Sequence, residues 1–250
     1  MVMHRYGWRP DLPDQRDRFF LDRVTTLPPS VDLRSGMPPV YDQGDLGSCT
    51  ANAVSAALDF DRHKQGKPFE TPSRLFVYYN ERKDDGDIST DAGASIRESI
   101  KAVTHYGACP EKEWPYNIAK FTAKPTAKCY KDATGYECLS YLSVAQAAIA
   151  LKSSLALGFP VVVGITVFES FESEQVAGTG EVPMPGPGEA LLGGHAVVCC
   201  GYDDATQKWL VRNSWGASWG GPLQGYCHMP YAYLTNPGLS SDFWTIRKTD

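Results

Sequence analysis

The stretch VYDQGDLGSCTANAVSAALDF, residues 40–60, constrains the fold most, because a glycine-rich turn runs directly into an alanine-rich segment. From Cys49 to Phe60 the small apolar residues fall on every side of a helical projection, which predicts a helix buried all round. A structural cysteine could lie anywhere on such a helix. At the first turn, however, unpaired backbone N–H groups stabilise a thiolate. The pattern therefore predicts a central helix that begins with a reactive thiol.

Bulk composition excludes several classes of protein. The 250 residues suffice for one large domain or for two lobes that share a cleft. A net charge of -5 and a pI near 5.6 argue against nucleic acid or an anionic membrane as partner. No run approaches the ~20 apolar residues of a membrane span, and MVMHRYGWRP lacks the apolar region of a signal peptide. Localisation stays open: intracellular, or exported with a targeting segment outside this sequence.

The cysteine pattern does not indicate a metal site. Seven cysteines allow at most three disulfides and one free thiol, or all could be free in a reducing compartment. No C-x-x-C pair occurs, and HAVVCC places Cys200 on the strand face opposite His195 and Cys199. We therefore expect no metal and no cofactor.

The order of periodic segments predicts an α+β protein with helices first and strands later. Helices are expected around residues 49–60, 72–83, 95–107 and 143–158, and a proline-rich irregular crossover over 109–133. Strands are expected in PVVVGITVF, HAVVCCGYD, KWLVRNSW and GYCHMPYAYL, with a long glycine/proline loop, AGTGEVPMPGPGEALLGG, between the first two. The predicted boundaries are a helical lobe over about 42–133 and a β-rich lobe over about 134–250.

Residues 1–26 form a predicted extended arm that precedes a domain of residues 27–250. The arm is too short to fold alone, yet it carries the aromatic residues Tyr6, Trp8, Phe19 and Phe20. Exposing four aromatic side chains is unfavourable, so we expect them to dock on the body. The arm is either a surface strap or a short segment that contacts the cleft and restrains activity, like the inhibitory segment of a zymogen.

A cysteine nucleophile needs a base, a group that orients the base, and donors for an oxyanion. Among five histidines, His195 stands out because it follows a glycine pair at the start of an apolar strand. Asn213 lies between the next strand and two tryptophans, where its amide oxygen can accept the histidine N–H. Gln43, six residues before Cys49, can join the Cys49 backbone N–H as an oxyanion donor.

Three blocks in this order, QGDLGSC, GGHAVVCCGY and VRNSWGASWG, resemble the landmark motifs of papain-like (C1) cysteine peptidases. VDLR and HYGACPEKEWPY resemble the start of the mature enzyme and the segment between its two lobes. The resemblance implies a two-lobe papain-like fold, with a helical left lobe, a β-barrel-like right lobe and the active-site cleft between them. It covers residue 27 to the C-terminus, and the family's long helical prosegment has no counterpart in this sequence.

The resemblance also implies roles for individual residues. Cys49 would be the nucleophile, His195 the general base and acid, and Asn213 the orienting residue. Trp215 would shield the histidine–asparagine hydrogen bond, and Gln43 would bind the oxyanion. Two glycines, Gly93 and Gly194, would contact substrate. The chain departs from common members at Leu46 and Thr50, which flank the nucleophile, so the substrate preference does not follow from the family.

The predicted reaction is hydrolysis of peptide bonds through an acyl-enzyme thioester. The predicted partner is a peptide or protein substrate, and the predicted type of enzyme is an endopeptidase. Two alternatives remain at this stage. One is a catalytically silent relative that binds peptides, and the other is a different Cys–His enzyme such as a transglutaminase or amidase. Intact Cys49, His195, Asn213 and Gln43 argue against the first, and the NSWG block argues against the second.

Overall fold

The structure, a computed structural model, describes residues 5–22 and 24–249, so His4 lies outside the described residues. Helix α1, Cys49–Lys64, is the central element, and every residue from Cys49 to Arg62 is buried. One side of α1 packs on the large sheet and another on two further helices. The helix is therefore enclosed, as its alanine pattern predicts, and it continues one turn past Phe60.

Two capped helices pack against α1. Helix α2, Arg74–Asp84, begins after Ser73, whose side chain accepts a hydrogen bond from the Phe76 N–H. Helix α3, Ile96–Tyr106, begins after Ser95 and ends at Gly107, which has φ +68°. Both match the predicted segments, because short polar caps and an apolar face specify them locally.

The crossover between the helical and β-rich parts is more regular than predicted. It contains helix α4, Ala127–Ala133, whose N-cap Thr126 accepts from the Cys129 N–H. Strand β2, Cys138–Ser143, follows, so helix α5 covers only Ala148–Ala156 instead of beginning at residue 143. The predicted start of that helix was wrong because β2 forms by pairing with a C-terminal strand that the sequence pattern did not reveal.

One antiparallel sheet occupies most of the second half of the chain. Besides β2, its strands are β1, Ser30–Asp32; β3, Val161–Phe168; β4, Leu191–Asp203; β5, Lys208–Arg212; β6, Tyr226–Pro230; and β7, Ser240–Thr249. They follow the order β2-β7-β3-β4-β5-β6, and β1 pairs with β4. Two predictions in this half were wrong. The segment YAYL, predicted as strand, belongs to helix α7, Tyr231–Thr235. The long predicted loop is shorter than expected, because its first residues belong to helix α6, Glu174–Thr179, and its last residues belong to β4.

The arm follows the surface of the body and forms no helix or strand in its described residues. Trp8 and Phe20 are buried, whereas Tyr6 is half-buried. Phe19 is 61% exposed, so the prediction that it docks was wrong. Within the described part of the chain, no helix combines the length and apolar character needed to cross a membrane.

Candidate active site

Cys49 is the first residue of α1, and its side chain is fully buried. Burial raises the pKa of the Cys49 thiol to about 11, although backbone N–H groups of Ala196, Gly7 and Thr50 act in the opposite direction. Desolvation therefore outweighs these backbone N–H groups and sets the direction of the pKa shift. The arm passes beside the thiol, because the Gly7 N–H is one of these groups.

His195 and Asn213 meet because β4 and β5 are antiparallel neighbours, with Val198 opposite Arg212. The His195 Nε2–H donates to Asn213 Oδ1 over 2.8 Å, and the Ser214 backbone N–H donates to the same oxygen over 2.8 Å. The imidazole is fully buried. The bond fixes the ring plane and makes Nδ1 the nitrogen suited to proton exchange.

Trp215 covers this pair. Its indole stacks on the His195 ring, with centroids 5.1 Å apart and planes 27° apart. Phe171 and Trp219 contact Trp215 edge-on at 5.4 and 5.5 Å. The aromatic cluster surrounds the imidazole with apolar surface, which strengthens a hydrogen bond beneath it.

Gln43 points its amide nitrogen at the arm. Gln43 Nε2 donates to Leu46 O over 2.9 Å and to Arg5 O over 3.3 Å, while Ser214 Oγ donates to Gln43 Oε1 over 2.6 Å. Both the oxygen and the nitrogen of the Gln43 amide are thus hydrogen-bonded. The Arg5 carbonyl of the arm accepts from Gln43 Nε2, the group that we predicted would donate to an oxyanion. Sequence reasoning missed Ser214, although it follows Asn213 directly in the NSWG block.

Main-chain hydrogen bonds hold the arm on both sides of the thiol. The Trp8 N–H donates to Gly194 O over 3.1 Å, the Ala94 N–H donates to Gly7 O over 2.8 Å, and the Arg9 N–H donates to Ala94 O over 2.9 Å. Gly194 therefore lies where its carbonyl can bind an extended chain. At the other side the pairing residue is Ala94, one position after the predicted Gly93.

Two glycines make this close approach possible. A Cβ added to Gly7 would lie 1.7 Å from Gly47 O, and a Cβ added to Gly93 would lie 1.9 Å from Gly7 O. These neighbours are backbone atoms, which cannot swing aside like a side chain. Gly93 also has φ +67°, which disfavours other residues.

Asp91 anchors the start of the described arm, a role that no sequence signal indicated. Arg5 Nη1 lies 3.0 Å from Asp91 Oδ2, and the Gly47 N–H donates to the same carboxylate over 3.1 Å. The Tyr78 hydroxyl also donates to it. The side chain of Asp91 is only 7% exposed, so these donors stabilise a nearly buried charge.

No group of three or more His, Cys, Asp or Glu side chains capable of holding a metal ion occurs within residues 5–22 and 24–249. All seven cysteines lie in the described part of the chain, and none of them forms a disulfide.

Comparison with solved structures identifies the class of fold as papain-like. Xylellain, a cysteine protease from Xylella fastidiosa, superposes with a TM-score of 0.91 at 42% identity, covering 100% of both chains. The model of the papain family of cysteine proteases matches residues 27–243. The chain belongs to that family, and the α+β papain-like fold expected from the motifs is confirmed.

Two curated relatives agree with this assignment. An uncharacterised peptidase C1-like protein of Acanthamoeba polyphaga mimivirus is 41% identical over 92% of this chain and 74% of its own length. A cathepsin B-like protein of Giardia intestinalis, CP3, is 30% identical over 82% of this chain and 72% of its own length.

Proposed function

We propose that this chain is an endopeptidase that uses Cys49 as nucleophile, His195 as general base and acid, and Asn213 to orient the imidazole. The observation that carries the proposal is the 2.8 Å bond to Asn213 Oδ1 from the Nε2 of His195, which lies on a strand packed against the helix that begins with Cys49. The bond leaves proton exchange to Nδ1. Membership of a cysteine protease family supports the same chemistry.

In the proposed reaction, Cys49 Sγ attacks the peptide carbonyl carbon and its proton passes to His195 Nδ1. Gln43 Nε2 and the Cys49 backbone N–H donate to the resulting oxyanion. Collapse breaks the C–N bond, and the leaving amine takes the proton from the imidazolium. Water then attacks the thioester with His195 as base, which releases the acid and restores the thiol.

Replacement of the nucleophile tests this assignment. Cys49→Ala is expected to abolish cleavage of an internally quenched peptide with both termini blocked, and to abolish labelling by a peptidyl epoxide. Cys129→Ala is the control, because it removes another buried free thiol in a separate apolar cluster with Phe76. Cleavage by the Cys49→Ala chain at the original rate would refute the mechanism. Cleavage of unblocked peptides alone would refute endopeptidase action.

We also propose that the arm, residues 1–26, restrains the enzyme by occupying the cleft. Arg5 O accepts from the proposed oxyanion donor Gln43, and the Gly7 N–H faces the nucleophile. The Tyr6 ring lies 6.2 Å from the His195 ring. A substrate cannot bind the same groups while these contacts persist.

The direction of the arm predicts that it is a poor substrate. A leaving amine must reach His195, so the part of a substrate after the scissile bond lies on the His195 side. Tyr6 lies on that side, whereas Trp8 lies beyond the thiol, next to Ala94. From N- to C-terminus the arm thus runs opposite to a productive substrate. Its peptide bonds do not place a leaving nitrogen near the general acid.

A further inference from the structure

The turn of residues 43–48 carries both donors of the proposed oxyanion site. Gln43, whose Nε2 is one donor, begins the turn, and the Cys49 backbone N–H, the other donor, directly follows its end. The side chains of Gln43 and Ser48 are fully buried. An oxyanion is stabilised only when its donors point at one position, so the geometry of the site depends on how the two ends of this turn are held.

The hydroxyl group of Tyr116 joins the two ends of the turn. It donates to Gln43 O over 2.9 Å and lies 2.5 Å from Ser48 Oγ. A tyrosine has one hydroxyl proton, and Gln43 O accepts it, so the Ser48 hydroxyl donates to the Tyr116 oxygen. Burial raises the pKa of Tyr116 to about 12, so the hydroxyl keeps its proton at neutral pH.

Ser48 is held from its other side by buried polar side chains. Asn52 Nδ2 donates to Ser48 Oγ over 3.0 Å and to Ser48 O over 2.9 Å. Arg74 Nη1 donates to Asn52 Oδ1 over 3.1 Å. Each group thus donates to the next, from the Arg74 guanidinium to the Gln43 carbonyl. Hydrogen bonds ordered in one direction strengthen one another, so this chain resists distortion of the turn.

The ring of Tyr116 is held independently of its hydroxyl group. The Arg74 guanidinium lies over the ring, 4.1 Å from its centroid. Arg74 is itself fixed by Glu111, which accepts from Nε and from Nη2 over 2.7 Å each. Phenylalanine at position 116 therefore retains the cation–π contact and loses only the two hydrogen bonds of the hydroxyl group.

We propose that Tyr116 is a positioning residue for the oxyanion site, because its hydroxyl group fixes the main chain of Gln43 relative to the start of α1. This inference rests on the proposed peptidase function. Tyr116 acts through Gln43 and Ser48 and takes no part in the bond changes. It is the last residue of HYGACPEKEWPY, so the inference gives this connecting segment a part in catalysis.

The test compares two reactions of Cys49, of which only one forms an oxyanion. Peptide hydrolysis forms one, whereas iodoacetamide alkylates the sulfur by displacing iodide and forms none. Both reactions require the arm to leave the thiol, so the ratio of kcat/KM to the alkylation rate constant does not depend on arm docking. The two rates are measured at the same pH, and the Cys49→Ala chain gives the background alkylation.

Tyr116→Phe is expected to lower this ratio about tenfold, because a misplaced donor loses part of the about 10²- to 10³-fold effect of one oxyanion donor. Tyr130→Phe is the control, because it removes a hydroxyl group that donates to Asn80 Oδ1 over 2.8 Å elsewhere among the helices, and it should leave the ratio unchanged. An unchanged ratio in Tyr116→Phe, or an equal fall in Tyr130→Phe, would overturn the role of Tyr116.

A double-mutant cycle separates positioning from a general weakening of the fold. In a chain with Gln43→Ala the donor positioned by Tyr116 is absent, so adding Tyr116→Phe is expected to lower the ratio less than it does in wild type. Equal falls in both backgrounds would overturn the positioning role while hydrolysis still supports the peptidase. Alkylation of Cys49 without hydrolysis of any peptide by wild type would overturn the proposed function and this inference together.

Discussion

At the scale of single residues, burial reverses the electrostatics of Cys49, the proposed nucleophile. The N-terminus of α1 favours a thiolate at Cys49, but burial raises the pKa of the thiol to about 11. We therefore expect the thiol to be more nucleophilic when it is hydrated than when it is covered. Covering the thiol protects it against alkylation and oxidation as well as against substrate.

This reversal predicts how alkylation depends on pH. A Gly7→Ala chain cannot seat its Cβ 1.7 Å from Gly47 O, so the arm is displaced and Cys49 is rehydrated. Iodoacetamide is expected to modify Cys49 faster in Gly7→Ala than in wild type at pH 7–8. The difference in alkylation rate between Gly7→Ala and wild type is expected to narrow as the pH approaches 11, because the covered thiol of wild type ionises there as well.

The Cys49→Ala chain provides the background rate of the six other cysteines, all of which are buried. Identical pH–rate curves for wild type and Gly7→Ala would contradict the burial argument.

At the scale of elements, α1 and α2 share a buried carboxyl group. Glu81 of α2 accepts from the Oγ1 of Thr50, the residue after Cys49, over 2.9 Å, and burial raises the pKa of Glu81 to about 7. The carboxyl group thus connects two helices at the start of α1.

Glu81 predicts a specific dependence of stability on pH. Its folded pKa of about 7 lies above the ordinary glutamate pKa of 4.5, so the folded state favours the protonated form. Below pH 4.5 Glu81 does not reduce the free energy of unfolding, because it is protonated in both the folded and the unfolded state. Between pH 4.5 and 7 the free energy of unfolding falls, by up to about 3 kcal/mol. Glu81→Gln lacks this titration, so its stability relative to wild type should rise from pH 5 to pH 8 in urea unfolding.

The other titratable groups are the same in Glu81→Gln and wild type, so their effects cancel in the difference between the two free energies of unfolding. A constant difference between Glu81→Gln and wild type across this range would show that the carboxyl group is ionised throughout.

Sequence patterns predicted the elements that are specified locally. The alanine pattern of α1, the Ser73 and Ser95 caps and the valine run of β3 each carry their own signal within about ten residues. Strands β2 and β7 were not predicted, because their pairing joins distant segments of the chain, with Tyr141 opposite Ile246. Period-2 alternation is weak in such strands, and tertiary contacts decide them.

The candidate site divides in the same way. Cys49, His195 and Asn213 could be singled out because each lies in a short, distinctive block. Asp91 could not, because an isolated aspartate gives no hint of the donors that will surround it, the Gly47 N–H, the Tyr78 hydroxyl and the Arg5 guanidinium. The fold brings these donors together from distant parts of the chain.

At the scale of the whole molecule, Gly7 is a point where the arm and the body fit closely. Gly7→Ala is expected to raise kcat/KM of the full chain for a short fluorogenic peptide, because the arm no longer competes for the cleft. The rates are compared at equal titre of active sites. Leu12→Ala, which changes an arm side chain that is 81% exposed, is the control and should leave the rate unchanged.

An unchanged rate in Gly7→Ala together with a lower Tm would mean that the arm only stabilises the body. A rate increase that also appears in Leu12→Ala would mean that the substitution acts by some route other than docking in the cleft.

The arm is attached to the body a second time, away from the thiol. The Phe20 N–H donates to Ser143 O over 2.7 Å, the Ser143 N–H donates to Arg18 O over 2.8 Å, and the Phe20 ring is buried. Residues 5–9 can therefore leave the cleft while the chain from residue 18 onward stays bound. A competitor tethered in this way acts at a fixed local concentration, on the order of millimolar for a short flexible connection. Dilution of the enzyme does not weaken such a competitor, so under the proposed restraint a high local supply of peptide is expected to open the cleft, and the arm is expected to return when that supply is exhausted.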